Sequence, residues 1–240
     1  QRSDRLERVL RGVRWRLLWV FVCFGVGASL TWLFRTDIFH LLLAPADGQL
    51  SATGKPIFTG PAEMFGLTIS LVVKGGIVAA LPVLIYNAYG LLRLLLGRQQ
   101  RWTILLFLWL ILFFYLTGVA FAYFVLLPTG LGFLLQFGTD IATPMIRITE
   151  YMELALMMTF WLGIVFEIPI IMLLLAKLRI VSHQRFRRIR RYVPVAALIL
   201  GGMITPTLDW VNQALVAVPI IALYEVGAFL SWLVRPKRMV

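Results

Sequence analysis

Charge is scarce in this sequence: only 14% of its 240 residues are Asp, Glu, Lys or Arg, while 60% are hydrophobic. A water-soluble domain carries nearly twice that charged fraction, so a soluble fold is excluded at the outset. Acidic residues are scarcer still, 11 against 23 Lys and Arg. Such an excess can signal nucleic acid, but here the basic residues lie between apolar runs and form no stripe, so no nucleic-acid partner is expected. One cysteine, Cys23 in an apolar run, excludes an intramolecular disulfide framework and argues against a thiolate metal site. The two histidines, His40 and His183, stand alone; there is no HExxH, no CxxC and no glycine-rich phosphate loop. Neither an enzyme nor a cofactor is expected. No repeat relates 1–120 to 121–240, which argues against a transporter built from inverted repeats.

What the chain does have is long apolar runs. About 20 residues cover a hydrocarbon core of ~30 Å, and four runs qualify: 17–34, 65–96, 102–127 and 152–175. The first exceeds the apolar core of a secretory leader and lacks a small-residue cleavage site after Phe34, so it is expected to stay in the chain. Two more, 193–204 and 210–234, are short or polar at their outer end and read as a helical hairpin that under-spans the bilayer. Basic residues then set the orientation. Six arginines precede Leu17, Arg93, Arg98 and Arg101 mark one turn, Lys177 and six arginines fill 177–191, and Arg235, Lys237 and Arg238 close the chain. The alternate connections hold Arg35, Lys55 and Arg147 alone. The expectation is an all-α polytopic membrane protein, a single domain over 1–240, with six transmembrane helices and both termini cytoplasmic. Anionic lipid is an expected secondary partner of the basic connections. Tryptophans 15, 19, 32, 102, 210 and 232 fall near span ends, where indoles anchor at head-group level. The outer connections 35–64 and 128–151 are expected to form partly ordered caps.

Ionisable residues inside a span are expensive and mark candidate sites. Lys74, Glu167 and Glu225 qualify. Glu167 stands before Pro169, whose missing N–H breaks or kinks the helix; a carboxyl beside a kink suits a polar groove, or else fixes helix packing. Glu225 lies nearer the cytoplasmic end, as a site or a packing contact. Lys74 either pairs with an acid or reaches the outer interface. Gly75-Gly76 and Gly201-Gly202 suit close helix approach, Asp209 is placed to cap the last helix, and the arginines from Arg185 to Arg191 read as a cytoplasmic anchor.

Phe121-Ala122-Tyr123-Phe124 with Leu127-Pro128, Phe166-Glu167-Ile168-Pro169, Arg191-Tyr192-Val193 running to Thr205-Pro206, and Tyr224-Glu225-Val226-Gly227 occur in this order. Together they resemble the TatC family, the multi-spanning subunit of the twin-arginine protein translocase, from about Leu17 to the C-terminus. The resemblance implies a glove-shaped six-helix bundle in the cytoplasmic (inner) membrane with two short final helices. It implies a cytoplasmic face that receives twin-arginine signal peptides, and a concave face that recruits single-span TatA/TatB-type partners into a hetero-oligomeric complex. The polar residue of that groove falls on Glu167, with Gln213 expected near it.

Two positions depart from the family pattern. Its His-Leu-x-Glu-Leu-Arg ahead of the first span corresponds to Val9-Leu10-Arg11-Gly12-Val13-Arg14, so Arg14 is retained and the glutamate is Gly12. Its Tyr-x-His-Glu-Arg corresponds to Gly97-Arg98-Gln99-Gln100-Arg101, with Gln100 for the glutamate. Losing a carboxylate that would grip a guanidinium removes the charge from a charge-assisted bond. Glu7, about 7.5 Å from Gly12 along a helix, is the replacement that resemblance leaves in reach. Two functions follow: a working translocase subunit, or a TatC-like scaffold of another membrane complex that has lost peptide recognition.

Overall fold

The computed structural model describes residues 2–46, 60–96, 101–136, 147–177, 180–205 and 210–233. Regular structure among them is helical. Ten α-helices follow one another: α1 Arg2–Leu33, α2 Arg35–Leu43, α3 Pro61–Leu96, α4 Arg101–Phe121, α5 Leu127–Gln136, α6 Ile148–Val165, α7 Ile168–Lys177, α8 His183–Ile189, α9 Val193–Ile204 and α10 Trp210–Leu233. Four stretches are long and apolar enough to cross a membrane: Ala62–Asn87, Leu106–Gly132, Ile148–Lys177 and Gln213–Leu233. A fifth exists if Leu17–Leu33 and α2, which meet at a 70° bend, are taken together. The 12 residues of α9 reach only about 18 Å at 1.5 Å each, as expected of the short arm of a hairpin.

Packing follows from where side chains are small. α1 runs along α3, and the approach is close because Gly75 and Gly76 leave room: a Cβ on Gly76 would fall 2.8 Å from Phe24 Cε2 and 3.0 Å from the Phe24 carbonyl oxygen. α9 and α10 pair in the same way at Gly201, where a Cβ would meet Gln213 O at 2.8 Å. The centre of the bundle is the α6–α7 stretch, 61% buried in its apolar window against 17% for Ala62–Asn87; α6 packs on α4 and α3, and α7 on α10. The surfaces left outside are themselves apolar, with Trp109, Phe113, Leu116 and Phe124 all exposed. That suits a chain whose outer solvent is lipid, since in water such a face would draw partners or aggregate.

The third span, expected over 102–127, is not one uninterrupted α-helix. A π-turn, Ala122–Leu126, follows α4, with Leu127 N–H donating to Ala122 O, and the chain continues through α5 to Gln136. Pro128 supplies the reason: it has no N–H, and its ring would press on the carbonyl of Phe124 in an uninterrupted α-helix, so a wider turn just before it relieves the ladder. The turn faces Tyr123 toward α2, where its hydroxyl donates to Leu41 O at 2.8 Å. Tyr151 OH donates to the neighbouring Leu42 O at 2.6 Å. Two tyrosines from distant helices thus satisfy carbonyls that the end of α2 leaves without helical partners, and α2 is tied to the bundle by them.

Candidate functional site

The span expected over 152–175 is two helices joined at Phe166-Glu167. Phe166 N–H still donates to Leu162 O at 2.9 Å, but Glu167 N–H turns to Ile164 O at 3.0 Å, a tighter turn, before α7 resumes with Ile171 N–H on Glu167 O at 2.9 Å. Pro169 cannot donate to the carbonyl of Val165, so the ladder breaks where the sequence says it must. The break presses Glu167 into the bundle. Its side chain is 2% exposed, and among the described residues neither carboxylate oxygen has a hydrogen-bond partner.

Two other helices pack against the break. On the α4 side, Gly118 lets Phe166 lie against the helix, with a Cβ there 2.8 Å from Phe166 Cγ, and Tyr115 fills the space over Gly163. Phe121 stacks near Phe166 at 5.7 Å between ring centroids. On the α10 side, Gly227 admits Pro169, whose Cα would lie 3.0 Å from a Cβ on that glycine. The carboxyl is therefore sealed within the bundle, where the sequence places it on a groove.

The remaining candidates separate. Gln213 is not beside Glu167: its Nε2 donates to Leu198 O at 2.7 Å and ties the α9–α10 hairpin. The α10 residue facing Pro169 is Gly227, 14 positions further on, or about 21 Å along the helix. Lys74 Nζ donates to Ser70 Oγ at 2.9 Å, one turn earlier on its own helix; Glu153 of α6 supplies opposite charge on that side without closing an ion pair. Glu225 Oε1 lies 2.6 Å from Arg190 Nε, so it is tied to the arginine-rich segment. Glu7, Gly12 and Arg14 fall in the part of α1 ahead of Leu17, whose side chains lie outside the described residues; Gln100 and Asp209 lie outside them as well.

One cluster escaped the sequence reading. Glu63 at the start of α3 accepts from Arg147 Nη2 at 3.1 Å and from Thr149 Oγ1 at 2.7 Å, clamping α3 to α6 across 84 and 86 positions of chain. No local pattern announces such a pair; only the helix packing brings it together.

The family model described as "Sec-independent protein translocase protein (TatC)" matches residues 8–219. The chain belongs to the TatC family. A TatC of Carboxydothermus hydrogenoformans is 31% identical over 213 residues, covering 89% of this chain and 86% of that protein. A TatC of Aquifex aeolicus is 32% identical over 236 residues, covering 97% of each. A crystal structure described as the twin arginine translocase receptor TatC superposes with a TM-score of 0.79 at 28% identity, over 94% of this chain and 99% of that one. The motifs on which the TatC resemblance rests have physical work in this fold: Phe121-Ala122-Tyr123-Phe124 with Pro128 builds the π-turn, Phe166-Glu167-Ile168-Pro169 the break, and Gly227 the seat of that break. The TatC relatives favour a translocase subunit over the scaffold reading.

Proposed function

We propose that this TatC-family chain docks twin-arginine signal peptides at the cytoplasmic face of the inner membrane and recruits single-span TatA/TatB-type partners through Glu167. The observation that carries the partner half is the buried, unpaired carboxyl at the helix break. A polar group left without a hydrogen bond in an apolar interior costs about 1–3 kcal/mol, and a transmembrane partner bringing a donor into that space recovers it. Six crossings with both termini cytoplasmic agree with the alternation of basic connections along the chain. Gln213, at the outer end of α10, serves as a second polar contact for the same partners, separate from Glu167.

The peptide half rests on Glu7, Gly12, Arg14 and Gln100. With Gly12 and Gln100 in place of carboxylates, Glu7 of the same N-terminal segment supplies the carboxylate for an arginine pair. Site-specific cross-linking from α7 and α10 in membranes containing the single-span partners tests the first half: Glu167→Ala is expected to abolish the adducts, and undiminished adducts would remove Glu167 from the role. For the second half, Glu7→Gln is expected to abolish binding of a twin-arginine peptide, and Gly12→Glu with Gln100→Glu to strengthen it. Peptide binding indifferent to all three changes would place recognition elsewhere.

A further inference from the structure

Between α8 and the last turns of α10 lies a cleft of about 430 Å³ whose walls have two characters. Arg187 and Arg190 line one side; Phe229 and Trp232 line the other, both about half exposed, with ring centroids 5.9 Å apart. The cleft is pre-formed. His183 Nδ1 lies 3.2 Å from both Ala228 O and Ser231 Oγ, Tyr224 OH donates to Phe186 O at 2.7 Å, and Glu225 holds Arg190 by its Nε edge. Among the described residues the terminal nitrogens of Arg190 have no other acceptor, so the face of the guanidinium that makes forked contacts remains available.

We infer that this cleft binds the phosphate head group of an anionic phospholipid. The basic wall carries two arginines against one glutamate, a net attraction for phosphate. What distinguishes a lipid from a free phosphate is the continuation of the cleft. Val218, Ala222, Glu225, Phe229 and Trp232 follow at intervals of four, three, four and three, one stripe of α10, and Val218 and Ala222 are exposed. An acyl chain lying on Val218 and Ala222 brings its phosphate to Arg187 and Arg190, with the two aromatic rings at head-group level. The short α9 places the arginines correctly for this. Arg190–Tyr192 leads directly into α9, whose reach of about 18 Å falls well below a ~30 Å core, so head groups are drawn inward at this point of the perimeter. The site is independent of partner capture at Glu167 and of peptide binding.

Native mass spectrometry of the full chain in mild detergent, titrated with phosphatidylglycerol or phosphatidylcholine, tests the assignment. One phosphatidylglycerol is expected to be retained in preference to phosphatidylcholine. Arg187→Gln with Arg190→Gln should weaken it about twenty-five-fold, at about fivefold for each arginine near a lipid surface. Arg185→Gln with Arg188→Gln, on the same segment but outside the cleft, should change it less than about twofold. Glu225→Gln, which keeps both arginines and frees Arg190, should strengthen retention severalfold and stands as the second test where the double arginine variant does not fold. Equal retention of the two lipids, equal losses from the two arginine pairs, or displacement of the lipid by millimolar inorganic phosphate would each overturn the site.

Discussion

Replacing Glu167 by methionine is expected to make the isolated chain more stable while disabling it. The side chain is 2% exposed and both its oxygens lack partners among the described residues. Methionine has a similar unbranched shape and no polar atom to desolvate, so Glu167→Met removes a standing cost of about 1–3 kcal/mol. For a chain of this size each kcal/mol moves the melting temperature by roughly 2–4 °C, so a gain of about 2 kcal/mol corresponds to about 4–8 °C. Glu167→Ala does not share the gain, because it leaves a cavity within the bundle whose cost offsets the relief. The assay is thermal unfolding of the purified chain in one detergent, run beside cross-linking of single-span partners in membranes. A melting temperature that falls in Glu167→Met would show that the carboxyl is satisfied in the isolated chain. A rise in stability with partner capture intact would show that the strained group is not what the partner relieves. Stability rising as capture is lost is the signature of a site kept at a cost to the fold.

Three further outcomes follow from the packing. Gly227→Val is expected to destabilise by about 1–3 kcal/mol, because the new atoms meet the Pro169 backbone at 3.0 Å; Gly25→Ala, with nothing within 4 Å of its Cβ, should be neutral or stabilising by up to ~1 kcal/mol, and thermal unfolding of the two variants side by side checks the contrast. Tyr151→Phe should cost about 1–2 kcal/mol and raise hydrogen exchange in α2 above that in α3; unchanged protection of α2 would mean that its carbonyls are held by other groups. Arg147→Ala should cost less than about 1 kcal/mol, since its bridge to Glu63 is half exposed, and the difference from the unaltered chain should shrink in high salt; a larger, salt-independent loss would mark the clamp as a buried one.

Much of this fold was legible in the chain, and the legible parts share a cause. Apolar runs, the break before Pro169 and the shortness of α9 each depend on residues within one turn or one span, where backbone chemistry and transfer to lipid act without reference to distant elements. The π-turn at Ala122–Leu126 was not foreseen, although Pro128 supplied its cause. The polar residues were harder to read. Glu225 was open between site and packing contact until Arg190 was found 2.6 Å away, and Lys74 chose a serine on its own helix. Gln213 was expected beside Glu167 from the family resemblance, but ordered motifs do not say at which depth of the bundle each side chain lies.

By itself, then, the sequence determined that the chain is an all-helical, multi-pass membrane protein, where a helix must break and to which family it belongs, because each follows from local composition or from ordered motifs. Only the tertiary structure decided that Glu167 is buried with no hydrogen-bond partner among the described residues, that two tyrosines cap α2, that Glu63 grips Arg147 and Thr149, and that α8 and α10 enclose a basic, aromatic cleft. Burial and pairing are set by helices meeting across tens of residues, through glycines whose value is the space they leave, and no local pattern states which surfaces that space will join.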